Sequence, residues 1–389
     1  MALREEADSL LRRSIEEGEV PGVVAVATDR GGPIYEGACG KRVLGQAAEM
    51  TADTVVWIAS MTKALTATAA MQLVERGELD LDAAASRWAP GLGSVQVLEG
   101  FDDSGEPRVR APKRPVTLRH LLTHTAGFGY AVWSEAVGRY QQAKRIPVTG
   151  TCQNAALRLP VLFDPGERWC YGINIDWTGK VVEAVTGRTL GAVLREDLFG
   201  PLGMDSTAFK ITPSMRARLA KVHQRGDDGG LQPIDLEVPQ EPEFEMGGGG
   251  LYSTAGDYLR FVRMMLNRGK GDAARVLQPE TVELMSRNHI GELHVTTLKS
   301  TTPAVSNDAE FFPGIPKKWG LSFMINTMLA PTGRSPGSLA WGGLANTYFW
   351  IDPTKGIGGV YLTQVMPFAD RKSLPLFYAF ETAVYRSLK

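Results

Sequence analysis

Three cysteines in 389 residues, Cys39, Cys152 and Cys170, are too few and too scattered to staple a fold. An odd, dispersed set points to reduced, mostly buried thiols. The chain also has no segment approaching the ~20 apolar residues of a membrane span. Its first 22 residues carry charges throughout and contain no apolar stretch of a secretory leader. They read instead as a short amphipathic helix with Leu10, Leu11 and Ile15 on one side. Charge of one sign is missing too: 42 Lys and Arg against 43 Asp and Glu leave a formal net charge of −1. Without a basic face, nucleic acid and anionic membrane are disfavoured as partners. Internal repeats, low-complexity tracts and long linkers are absent. A soluble cytoplasmic protein is expected, 43% hydrophobic and 22% charged, with ample core.

The pattern along the chain predicts an α/β (α+β) fold. Val23–Ala27 and Ile34–Ala38 read as a hairpin joined through Asp29-Arg30-Gly31-Gly32. Val55–Ala59 is a third extended piece, leading into an Ala/Leu/Met-rich helix through Arg76. From about residue 78 to 245 helical periodicity, long loops and Gly/Pro punctuation take over. Within it Thr117 is the expected N-cap of a short helix. After Gly247–Gly250 comes an amphipathic helix, Ala255–Asn267. Then strand-like runs follow at Gly320–Met328, Ser338–Gly342, Thr347–Ile351 and Gly358–Leu362, and a helix over Arg371–Ser387. Strands at both ends and helices between imply an antiparallel sheet flanked by helices, with an inserted helical lobe. The expected division is 1–77 with 246–389 for the α/β domain and 78–245 for the mainly helical one. A cleft between them is the natural place for a site.

The chemistry is concentrated at Ser60-Met61-Thr62-Lys63, where the third extended piece meets the helix. A serine hydroxyl is a weak nucleophile without a base in hydrogen-bond reach. Residues three apart on a helix share a face, about 5–6 Å apart at Cβ, so Lys63 can lean back onto Ser60 Oγ. The unpaired N–H groups of the helix start help to hold an oxyanion, and burial favours the neutral amine of a lysine. The bland alternative is a capping serine followed by a solvent-facing lysine.

Two further pieces carry chemistry. Tyr171 follows Pro165-Gly166-Glu167-Arg168-Trp169 at a loop entering a helix; near an ammonium its phenolate is favoured and it can shuttle a proton. Trp341-Gly342-Gly343 ends an apolar strand, where two glycines permit close approach of a backbone or ligand. Two other patterns are decoys. Gly333-Arg334-Ser335-Pro336-Gly337 satisfies Gly-x-Ser-x-Gly, but Pro336 and Gly337 occupy the place where a nucleophile elbow needs a helix. His120 and His124 have the spacing of a metal pair, yet no glutamate follows His120 and no third ligand is evident. No metal or organic cofactor is expected.

The ordered set Ser60-Met61-Thr62-Lys63, Tyr171 and Trp341-Gly342-Gly343 resembles the serine β-lactamase-like hydrolases. It is most similar to class C β-lactamases and the family VIII carboxylesterases that share their fold. Leu121–Gly127 and Pro201-Leu202-Gly203-Met204 fit the same group, so the resemblance spans about residues 20 to 365. It implies a nucleophile at Ser60, a base at Lys63 and a proton-shuttling Tyr171. The implied oxyanion hole is the N–H groups of Ser60 and Leu344, with Trp341, Gly342, Gly343 and Asn174 at the substrate. The chain departs from the pattern twice. Tyr171-Gly172-Ile173 replaces Tyr-x-Asn, with Asn174 one place late, and Trp341-Gly342-Gly343 replaces Lys-Thr-Gly. The second departure favours a carboxylesterase acting on neutral short-to-medium acyl esters. The alternatives are a β-lactamase or D-amino-acid peptidase using the same residues, or a non-catalytic binding protein of the same fold.

Overall fold

The computed structural model describes residues 3–388; residues 1, 2 and 389, the outer ends of the expected α/β region, lie outside the described residues. The main sheet has seven strands, in chain order β1 (Gly22–Asp29), β2 (Pro33–Gly40), β3 (Lys317–Trp319), β4 (Met324–Asn326), β5 (Leu339–Gly343), β6 (Thr347–Asp352) and β7 (Ile357–Leu362). Across the sheet they run β2-β1-β7-β6-β5-β4-β3, every neighbour antiparallel. The N-terminal hairpin therefore joins the C-terminal strands near one edge of the sheet, where β1 pairs with β7.

Period-two alternation in β6 sorts its side chains onto the two faces. Tyr348 and Trp350 meet Phe377 of the C-terminal helix Ser373–Arg386, with ring centroids 4.8 and 5.9 Å away. Phe349 turns to the other face, 5.1 Å from Tyr258 of the helix Ala255–Leu266. A Cβ on Gly359 in β7 would sit 2.2 Å from the Trp350 ring, so this position must be glycine for the indole to lie flat on the sheet. The N-terminal helix, Leu3–Glu16, packs beside the C-terminal one, burying Ala7 and Leu11.

Residues 78–245 give no strand to this sheet. They supply helices and two small hairpins absent from the expected layout, Val97–Phe101 with Pro107–Arg110 and His223–Arg225 with Leu231–Pro233. Both hairpins are short, and Pro107–Arg110 is at best half-buried, so neither carries a hydrophobic alternation. The expected strand Gly320–Met328 is instead a turn leading into β4. Ser322 adopts φ +74° and the Gly320 N–H donates to Phe323 O. The third extended piece also shrinks, to Val56–Trp57 paired with Tyr252–Ser253.

The helix Thr62–Glu75 is buried on every side from Thr62 to Leu73 and packs against the helix Asn174–Thr186. Its small and aliphatic residues all round suit a central helix rather than an amphipathic surface one. No helix among the described residues is long and apolar enough to cross a membrane.

One buried ion pair locks the C-terminal helix to the sheet. Arg334 donates through Nε and Nη2 to Glu381 at 2.6 and 2.8 Å, and both residues are buried. Removing one member strands the other's charge in the interior, which typically costs about 3–5 kcal/mol. Glu381→Ala is therefore expected to lower unfolding stability by about that much in urea titrations. A change below about 1 kcal/mol would show that solvent reaches Arg334.

Candidate active site

Ser60 lies in a single 3₁₀ turn, Ala59–Met61, that runs directly into the central helix at Thr62. Ala59 adopts φ +44°, a left-handed conformation that costs a non-glycine residue roughly 1–3 kcal/mol and persists only where its surroundings over-determine it. Here they do. Ile58 N donates to Leu251 O (3.0 Å), Thr347 Oγ1 donates to Ile58 O (3.2 Å), and Tyr258 OH donates to Met61 O (2.9 Å). The Gln364 amide grips Trp57 like a strand partner, accepting from its N–H and donating to its carbonyl, both at 3.0 Å. Backbone strain beside the serine is thus held by four separate elements.

Lys63 is buried and leans onto Ser60 as the three-residue spacing requires, with Nζ 3.1 Å from Oγ. Its other two neighbours are Gly248 O at 2.5 Å and Tyr130 OH at 3.2 Å. Tyr130 in turn donates to Asp176 Oδ2 (3.4 Å), and Asp176 Oδ1 accepts from the Gly248 N–H (2.9 Å). Burial, with the nearby Asp176 and Tyr171, pushes the Tyr130 hydroxyl well above its ordinary range, so it stays protonated. Burial also raises Asp176, against the opposing pull of Lys63 and the Gly248 N–H.

Tyr171 comes to the same place. Its ring centroid is 4.7 Å from Lys63 Nζ and 5.5 Å from the Tyr130 ring. Its hydroxyl accepts from Trp341 Nε1 at 3.0 Å. The indole N–H of Trp341, a residue expected at the substrate, is therefore engaged inside the protein. Trp341 packs between Tyr171, Trp319 and Phe311, at centroid distances of 4.9, 4.7 and 5.7 Å. Gly343 brings the end of β5 against the serine turn: a Cβ there would lie 2.2 Å from Ile58 O, so no other residue fits without displacing the Ser60 segment. Gly342 is similarly tight against Tyr348, and Leu344 stands half-buried at the β5–β6 corner. The N–H groups of Ser60 and Leu344 donate to no acceptor among the described residues.

Asn174 does not join this cluster. It is fully buried, and its Nδ2 donates to His124 Nδ1 at 2.8 Å, with Phe128 O and Cys170 O at 3.4 Å. Its donors are spent inside the protein, so it braces the loop behind Tyr171 rather than facing a ligand. The reason is geometric: one extra residue places Asn174 at the start of a helix whose first turn points inward. His124 is past the end of the helix Leu118–Leu122, with φ +56°, and stacks 4.8 Å from Tyr171. Burial and the Lys63 charge hold it well below its ordinary range, hence neutral. His120 caps its own helix, its Nδ1 accepting from the Thr117 N–H. Ser335 lies in a turn whose neighbours are Asp352 and Ser338, and no base among the described residues hydrogen-bonds to its hydroxyl.

Sequence reasoning missed Tyr130, Asp176 and Gly248. None sits at a fixed spacing from Ser60; the only cue was Tyr130 following the Thr125-Ala126-Gly127 run.

A serine with an adjoining buried lysine, tyrosines over the amine and two free N–H groups is the apparatus of a serine hydrolase, and the chain is an enzyme of that kind. It belongs to the beta-lactamase family, whose profile matches residues 7–382. It is 33% identical over 97% of its length to monacolin J acid methylbutanoyltransferase of Aspergillus terreus, of which it covers 94%. It is 31% identical to lovastatin esterase of Penicillium rubens, over 97% of this chain and 98% of that one. Among solved structures it superposes on EstCE1, described as a hydrolase with promiscuous acyltransferase activity, with TM-score 0.77 and 26% identity over 98% of both chains.

Proposed function

We propose that the protein is a serine carboxylesterase acting on neutral short-to-medium acyl esters through an acyl-enzyme on Ser60. The observation that carries this reading is the set of neighbours around Lys63. A neutral lysine amine has two N–H donors and one lone pair. Gly248 O accepts only, and Tyr130, whose own proton goes to Asp176, accepts at its oxygen. When the amine gives up its third proton, its lone pair is left for the third neighbour, the Ser60 hydroxyl 3.1 Å away. Lys63 takes that proton as Ser60 Oγ attacks the ester carbonyl. The oxyanion falls to the N–H groups of Ser60 and Leu344, an arrangement usually worth about 3–4 kcal/mol. The alcohol leaves with a proton delivered through Tyr171, and water then releases the acid. No step calls for a metal or organic cofactor, and the partner is a small-molecule ester. A soluble cytoplasmic setting belongs to the same reading, supported by three cysteines that form no disulfide.

Acyl transfer is the second reading. It shares the acyl-enzyme and differs only in whether water or an alcohol resolves it, and the names of the methylbutanoyltransferase and EstCE1 favour testing it. Labelling with an alkyl phosphonate, mapping of the modified serine and turnover of a nitrophenyl ester panel test the first reading. The same panel with added alcohols measures partition to transfer. Label on any serine other than Ser60 would overturn the assignment.

Substrate class follows from Trp341-Gly342-Gly343, which presents neither an ammonium nor a hydroxyl to a substrate carboxylate. Among the described residues Lys63 carries the one amino group hydrogen-bonded to Ser60, and its other neighbours, Gly248 O and Tyr130 OH, occupy its donors. If roughly 3 kcal/mol of carboxylate pairing is missing, nitrophenyl butyrate should exceed benzylpenicillin by at least ~10²-fold in kcat/KM. Parity of the two substrates would move the assignment to β-lactamase.

A further inference from the structure

Two tyrosines face one lysine in this site; both accept from an N–H group, but only Tyr130 also has an acceptor for its own proton. Tyr130 accepts from Lys63 Nζ and hands its proton to Asp176. Tyr171 receives the indole N–H of Trp341 at 3.0 Å, while its own proton has no acceptor among the described residues. An indole nitrogen only donates, so this contact fixes Tyr171 as the acceptor there and turns its O–H away from Trp341. We infer that Trp341 is a positioning residue that leaves the Tyr171 proton free for the departing alcohol, while Tyr130 and Asp176 serve only to hold Lys63.

The inference rests on the esterase reading and deepens it. In acylation the Ser60 Oγ–C bond forms and the C–O bond to the alcohol breaks. The serine proton passes to the Lys63 amine, and Tyr171 protonates the alkoxide. The resulting phenolate, stabilised by the Trp341 N–H, lies beside the new ammonium and recovers a proton from it. Protons balance: one leaves Ser60 and one arrives on the alcohol. Both Tyr171 and Trp341 are buried, so water does not readily replace either partner.

Leaving-group dependence separates this from a packing role. An alkoxide needs a proton as it departs, whereas nitrophenolate does not. Trp341→Phe keeps a ring against Trp319 and Phe311 but removes the donor. It should lower kcat/KM for ethyl butyrate at least ~10-fold more than for 4-nitrophenyl butyrate. Tyr171→Phe should show the same selectivity, larger, and the double variant should be no worse than Tyr171→Phe alone on ethyl butyrate. Tyr130→Phe and Asp176→Asn should depress both esters alike, because they act through Lys63. Equal losses for both esters in Trp341→Phe, or leaving-group selectivity in Tyr130→Phe instead, would overturn the inference while leaving the esterase reading intact. A wild-type enzyme inert towards both esters would overturn that reading, and the inference with it.

Discussion

Ser60→Ala should remove ester turnover, a loss of about 10³–10⁶-fold in kcat, while Ser335→Ala stays within a few-fold of wild type. The contrast is large because both serines satisfy a hydrolase motif and one has the supporting geometry. Ser60 has an amine 3.1 Å from its hydroxyl, a strained residue before it and an end of β5 close beside it. Ser335 sits in a turn whose N–H caps Asp352, and the residue beside it, Arg334, is consumed by Glu381. The Ser335 contacts run through its backbone N–H and carbonyl, which alanine keeps, so the fold should tolerate loss of the hydroxyl. The measurement is initial rates on nitrophenyl butyrate for both variants, with thermal melts to confirm that each is folded. Survival of Ser60→Ala with death of Ser335→Ala would reverse the assignment of the nucleophile.

How far the sequence led depended on whether a feature was local. The Ser60–Lys63 contact was legible because helical geometry alone brings positions three apart together. Thr117 as N-cap was legible for the same reason, and the structure adds only that His120 closes the capping box. The paired hairpin β1–β2 followed from period and turn chemistry. What failed was long-range or weakly patterned. Tyr130 and Gly248 lie 67 and 185 residues from Lys63 along the chain, and no spacing rule ties either to it. The direction of the Trp341 N–H was equally invisible: sequence shows an indole at the end of a strand, but not that a tyrosine 170 residues away accepts its proton. Asn174 was misplaced because motif position was read without the helix that begins there. The two small hairpins escaped because so few residues carry too little alternation to register.

Lys63→Arg is expected to be nearly as damaging as Lys63→Ala, with a loss of about 10³-fold or more in kcat/KM. The two substitutions separate charge from basicity. Arginine keeps a cation near the oxyanion, but its guanidinium cannot give up a proton at working pH. If Lys63 acts by abstracting the Ser60 proton, a permanent cation is useless in its place. The surroundings sharpen the test. Lys63 is buried and packed among Ser60 Oγ, Gly248 O and Tyr130 OH, so a planar five-donor group finds three acceptors where it needs more. The Asp176 carboxylate, one tyrosine away, would still neutralise an added charge, so loss of activity would not simply report an unpaired buried cation. Single-turnover acylation with a nitrophenyl ester isolates the step in question, because this leaving group needs no proton and only serine activation remains. A fall in that rate matching Lys63→Ala identifies Lys63 as the base. Near-wild-type acylation in Lys63→Arg would mean that it supplies fixed charge alone, and Ser60 would then need its proton removed by Tyr171.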